Sequence, residues 1–190
     1  MRFEHVLSIA TVCLAVGCKS RESVPSGSGT QTANVTVETK IQPVQFPAPA
    51  TIDTGTRARL PKDEQAKIPT STVPVLVPKD DALLAVSTLM IEDVWTAFHA
   101  QANDITVHVA GTRLAHEHPE IPPSPGQIPI RSGKGRVTVN EGIRQATFEE
   151  NGVSYAVDVE CAKHDDTRCA TDAFVIELTN GLVYVGGGGS

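Results

Sequence analysis

The feature that most restricts how this chain can fold is the dipeptide Asn151-Gly152, set between two stretches that alternate apolar and polar residues. A type I′ turn needs two successive residues at positive φ, and Asn-Gly meets that need at little steric cost. Folding the chain back there sets Phe148 opposite Tyr155 and Ala146 opposite Val157, so the apolar positions of both arms coincide. Val153, Tyr155, Val157, Val159 and Cys161 then share one side, and Ser154, Asp158 and Glu160 share the other. The region reads as a half-buried antiparallel hairpin with a fixed register.

Further strands follow from the same period. Behind a turn at Asn103-Asp104, Ile105, Val107 and Val109 alternate with Thr106, His108 and Ala110 as far as Gly111. Val137 and Val139 offer a short strand upstream of the hairpin. Val73 to Val77, fenced by Pro74 and Pro78, reads as an edge strand or an extended lead-in, because proline cannot donate to a ladder. Residues 81–102 admit two readings. Leu84, Thr88, Ile91, Trp95, Phe98 and Ala102 recur at helical spacing, yet the stretch is rich in β-leaning residues and Glu92-Asp93 can turn, which favours two strands. Prolines from Pro119 to Pro129 make residues 115–135 a surface loop. Near the C-terminus, Asp172 would cap a short helix through Thr179 with Asn180-Gly181 as a left-handed stop, and Leu182 to Val185 would return as a strand; a competing reading makes Phe174 to Leu178 a strand as well. The fold expected is α+β, mainly antiparallel β: a small disulfide-stapled sheet with one short C-terminal helix, over residues 71–186, with 187–190 a flexible tail.

Composition changes ahead of that domain. Residues 18–70 carry the run Ser26-Gly27-Ser28-Gly29, many threonines and spaced prolines, with apolar residues too scattered for a core face. They read as a disordered tether, giving roughly 40 Å of typical reach at 5–6 Å × √n, although Val35 to Val37 and Ile41 to Phe46 could add an edge strand. Earlier still, Arg2 precedes an apolar run from Val6 to Val16. That run is far short of the roughly 20 residues a spanning helix needs, and suits a signal-peptide core. It ends in Leu14-Ala15-Val16-Gly17-Cys18, which resembles the lipobox of bacterial lipoprotein precursors. The resemblance implies that residues 1–17 are removed and that Cys18 carries a diacylglyceryl thioether and an acylated amine. With Lys19 rather than aspartate next, it implies, for a Gram-negative source, sorting to the periplasmic face of the outer membrane. A conventional secretory signal cut near the same place would instead leave Cys18 a thiol.

The formal net charge is −6, and loss of the first 17 residues, with one basic and one acidic side chain, leaves it unchanged. An acidic chain lacks the basic patches that nucleic acid or anionic lipid would require, so no nucleic-acid partner is expected and the lipid on Cys18 would hold the membrane. A single Trp95 and two tyrosines argue against a large aromatic carbohydrate platform. Cys161 and Cys169 remain as an even pair in a compartment that permits disulfides. A metal site from Cys161, His164, Asp165 or Asp166 and Cys169 would have no standard zinc spacing. His116-x-His118 would put two imidazoles on one side of an extended segment, with His108 or His99 as a third zinc or copper ligand. The basic, glycine-rich loop Arg131 to Arg136 lacks P-loop spacing and reads as a solvated turn. No nucleophile elbow, H-E-x-x-H site or dinucleotide fingerprint is present. The expected function is therefore non-enzymatic: an envelope lipoprotein presenting its sheet to another envelope protein or to the cell wall, with a zinc- or copper-binding module at His116, His118 and His108 as the alternative.

Overall fold

The computed structural model of the chain describes residues 38–117 and 127–188, with Glu38, His116 and Glu117 as backbone only. The expected signal peptide, Cys18, the first part of the expected tether and His118 lie outside the described residues. The chain runs through β1 (Glu38–Ile41), α1 (Thr54–Arg59), α2 (Lys62–Lys67), β2 (Val75–Val77), α3 (Asp81–Ala85), β3 (Thr88–Ile91), β4 (Trp95–Ala102), β5 (Ile105–Thr112), β6 (Leu114–Glu117), β7 (Ile128–Ile130), β8 (Gly133–Asn140), β9 (Ile143–Glu150), β10 (Val153–Cys161), α4 (Ala173–Asn180) and β11 (Val183–Gly186).

Seven strands form one antiparallel sheet in the order β3-β4-β5-β10-β9-β8-β7. It consists of two meanders, β3–β5 and β7–β10, joined where β5 pairs with β10. Tight turns close the hairpins. Asn151 (φ 58°) and Gly152 (φ 75°) make the anticipated I′ turn, and Asn103-Asp104 and Glu141-Gly142 likewise hold two positive φ values in succession. Phe148 faces Tyr155 and Ala146 faces Val157, the register read from the sequence.

Alternation sorts the sheet into two faces. One row crosses it as Leu89, Phe98, Val109, Val157 and Ala146, with Val137 at its end. The first five are buried. Leu83 and Leu84 of α3, Val175 of α4 and all three residues of β2 join the same core. β2 pairs only with β11, as an edge strand of a separate two-stranded ribbon, and is buried at every position as a second layer over the sheet. Each buried Val or Leu contributes about 1.5–3 kcal/mol of transfer free energy, which makes this face the main source of stability.

Four expectations are corrected. Residues 38–70 are not all tether. β1 pairs with β6, and α1 and α2 follow, with Thr56, Leu60 and Ile68 buried. No element here has an apolar face of its own: β1 leaves Ile41 exposed, α1 buries only Thr56, and Leu60 and Ile68, which follow α1 and α2, enter a core built elsewhere, while Asp53 caps α1 by accepting from the Thr56 N–H at 2.8 Å. Within 115–135, β6, β7 and the start of β8 are strands, with Pro129 on an edge strand where no donor is needed. Glycines 186–188 are built into the fold: their φ values of 141°, 111° and 102° suit glycine alone, and the Gly188 N–H donates to the Ser71 carbonyl at 2.8 Å. Gly181 ends α4 at φ −82° rather than in the left-handed region, and Asp172 leaves its capping place unbonded because Arg144 takes its carboxylate. The stretch 81–102 forms the two strands favoured, turning at Glu92, with α3 added ahead of them.

Candidate functional site

The second face of the seven-stranded sheet carries the chemistry. Its residues are those that alternate with the core positions, and the register aligns them in rows. One row is Trp95, Thr112, Ser154 and Glu149; the next is Met90, Ala97, Ala110, Ala156, Thr147 and Arg136. Small side chains in the middle of the second row leave a groove of about 910 Å³, floored by Ala110, Ala156 and Thr147. Trp95 stands at one end, and Lys134 and Arg136 beside Glu149 at the other. The volume is that of a small-ligand site. From β4 to β8 is four strand spacings, or about 19 Å.

The floor is kept level from beneath. On the core face Tyr155 stacks on Phe148, with ring centroids 5.2 Å apart and planes 18° from parallel. Gly111, opposite Tyr155, has no side chain because the ring occupies its place: a Cβ there would lie 2.5 Å from Tyr155 Cε1. The Tyr155 hydroxyl donates to the Pro74 carbonyl at 2.9 Å, tying the floor to the second layer. Burial pushes the Tyr155 phenol well above its ordinary range and raises Tyr184 to about 12.

A third row on the open face is Thr88, His99, His108, Asp158, Gln145 and Thr138. His99 and His108 are cross-strand neighbours with ring centroids 6.3 Å apart. His108 Nδ1 lies 3.5 Å from Asp158 Oδ2, and Gln145 Nε2 donates to Asp158 Oδ1 at 2.8 Å. The hydrogen bond from His108 holds the Asp158 carboxyl below its usual value against the opposing effect of burial.

The sheet edges are less accessible than this face. On β3, the Leu89 N–H donates to Glu64 Oε2 at 2.6 Å and the Leu89 carbonyl accepts from Lys67 Nζ at 3.0 Å, so two α2 side chains occupy the place of a neighbouring strand. β7 carries Pro129. Both devices blunt strand addition.

Cys161 and Cys169 are bridged, with Cα atoms 6.1 Å apart. That corrects the metal reading of their loop, since both sulfurs are spent on the bond. Basic side chains hold the loop from three sides. Arg144 donates to the carbonyls of Cys169 and Ala170, Arg168 pairs with Asp166 and reaches the Asn103 carbonyl, and Lys163 pairs with Asp104. Arg131 is no member of a solvated turn: its side chain is 11% exposed, pairs with Glu150, donates to the Thr179 and Leu182 carbonyls and lies over the Phe148 and Tyr184 rings.

Of the expected metal histidines, His118 lies outside the described residues. His108 lies mid-sheet between His99 and Asp158, while His116 sits on β6, paired with Thr39 in a separate ribbon. Among the described residues no three imidazole, carboxylate or thiolate groups form a ready metal cage. Sequence reading missed Trp95, Lys134, Arg136 and Thr147 as neighbours. Alternation within each strand was the available signal, but alignment between strands requires the whole register. No protein-family model, curated protein or solved structure matches the chain.

Proposed function

We propose that the chain is a lipid-anchored lipoprotein of the bacterial envelope, at the periplasmic face of the outer membrane, and that its domain is a non-enzymatic binding module. The occupant of its groove is an extended, carboxylate-bearing peptide segment of an envelope or cell-wall partner. The observation that carries this reading is the small-residue groove across an otherwise regular sheet face, with Trp95 at one end and two cations at the other. At 3.3–3.6 Å per residue, about 19 Å accepts an extended segment of roughly five residues. Lys134 and Arg136 carry donors that suit a carboxylate at their end, while Trp95 offers an apolar face. The anchor rests on the lipobox resemblance and Cys18.

The test uses full-length protein extracted from membranes in detergent. Its intact mass is expected to show cleavage before Cys18 with added lipid. As Trp95 is the only tryptophan, its emission reports on the groove. A five-residue peptide with a free C-terminal carboxylate is expected to shift that emission, its amide much less so, and Lys134→Gln with Arg136→Gln should abolish the difference. An unlipidated mature chain would remove the anchor. Equal response to acid and amide would remove the proposed occupant.

A further inference from the structure

The third row of the open face carries a separate inference. We infer that His99 and His108 form a two-imidazole site for a borderline transition-metal ion, Zn²⁺ or Cu²⁺, with Asp158 as the group that orients His108. The groove reading is not needed for it.

The geometry is that of a metal-binding histidine held from behind. A ligating imidazole commonly gives its second ring nitrogen to a carboxylate, which fixes the tautomer and raises the basicity of the nitrogen that faces the metal. Here Asp158 Oδ2 sits 3.5 Å from His108 Nδ1 and draws the ring proton to that atom, leaving Nε2 as the ligand. Asp158 is itself held by Gln145 at 2.8 Å. His99 stands across the strand pair on the same face, and it is exposed, so its ring is free to turn. With a metal–nitrogen bond of about 2.1 Å and about 1.1 Å from nitrogen to ring centre, two imidazoles on one tetrahedral ion have centroids about 5.2 Å apart. The observed 6.3 Å therefore needs only about 1 Å of closure, which side-chain rotation of His99 supplies. Water completes the coordination sphere, as the face gives no third direct ligand among the described residues. Imidazole nitrogen suits zinc and copper better than calcium or magnesium, and the acidic surroundings, with Glu160 one row away on β10, favour a cation.

Cu²⁺ alone is the first probe, added to the full-length protein, because Trp95 lies on the same strand as His99 and a bound copper ion quenches nearby indole emission. Saturable quenching reversed by chelator is expected. Either His99→Ala or His108→Ala should weaken binding at least tenfold, and Asp158→Asn by about tenfold, the lower end of the effect of removing such a partner. The double variant His116→Ala, His118→Ala should leave the affinity unchanged. A second measurement needs no variant at all: on adding Zn²⁺ to the wild-type protein, the ring nitrogen resonances of His99 and His108 should shift and those of His116 and His118 should not. Wild-type affinity in the His99 and His108 variants, loss of binding in the His116/His118 variant, or no saturable binding would each overturn the inference.

Discussion

Arg131 gathers an ion pair, two carbonyl acceptors and two aromatic rings around one side chain. Its side chain is 11% exposed and that of its partner Glu150 19%. It donates to the Leu182 carbonyl at 2.8 Å and the Thr179 carbonyl at 3.3 Å, and its own N–H donates to Asn180 Oδ1 at 2.6 Å. The turn after β7 is thus fastened to the end of α4 and the start of β11. Arg131→Met keeps the aliphatic stem over the Phe148 and Tyr184 rings but takes the guanidinium from the Glu150 carboxylate and the Leu182 carbonyl, while the Thr179 carbonyl keeps the Leu182 N–H. Breaking a buried pair from one side costs about 3–5 kcal/mol, and partial exposure places this case near the lower end, at about 3 kcal/mol. For a domain of this size that lowers Tm by about 6–12 °C. The double variant Arg131→Met, Glu150→Met removes the stranded charge and should recover more than half of the loss, since replacing both partners by apolar groups is far less costly than removing one. Urea unfolding of the wild type, both single variants and the double variant provides the cycle. A single-variant loss below about 1 kcal/mol, or a double-variant loss equal to the sum of the singles, would refute the clasp.

Three further outcomes follow from the geometry. Reducing the Cys161–Cys169 bond, whose cysteines are eight residues apart, should cost about 2.5 kcal/mol by loop entropy, read as a Tm drop of about 5–10 °C when reductant is present in a thermal melt; a change under 1 °C would mean that the surrounding arginine contacts alone hold the loop. Gly111→Ala forces a methyl group into the Tyr155 ring and should destabilise by about 1–3 kcal/mol as an overpacked site, so an unchanged melt would place the ring elsewhere. Ultraviolet titration should show neither tyrosine ionising at its ordinary value of 10, because burial raises both. The folded-state Tyr184 value is above the unfolded one, so its contribution to stability is complete below pH 10 and falls away as pH rises towards about 12; tyrosinate absorbance at pH 10 in the folded protein would contradict the packing.

What was legible in the sequence was whatever a short segment decides for itself. Asn151-Gly152 sets its own turn, and the two-residue period on either side fixes which residues meet, so Phe148 and Tyr155 could be paired in advance. The alternation of β5 and the C-terminal helix belong to the same class. Ile68 and Leu60 could not be placed this way. Each is a single apolar residue in a polar, proline-punctuated stretch, buried because the core elsewhere leaves room for it. Arg131 failed for the converse reason: glycines and serine around it read as a solvated turn, while the groups that hold it come from Thr179, Leu182 and Glu150, far along the chain or in another strand.

The open face illustrates a further limit that is physical rather than interpretive. Alternation shows that His99, His108 and Asp158 lie opposite the core positions of their own strands, but not that they share a row. The β4–β5 turn brings His99 to His108, a local event that Asn103-Asp104 largely dictates. Bringing Asp158 to His108 requires the two meanders to dock along β5 and β10, and no turn residue sets that register. It is set by the buried partners, Val109 against Val157 and Val107 against Val159, since a slip of one residue would expose both valine series. The core packing on one face thereby fixes the chemistry on the other. A substitution that loosens the β5–β10 valine ladder should accordingly disturb the His108–Asp158 pair before it touches His99 and His108, whose shared hairpin holds them together.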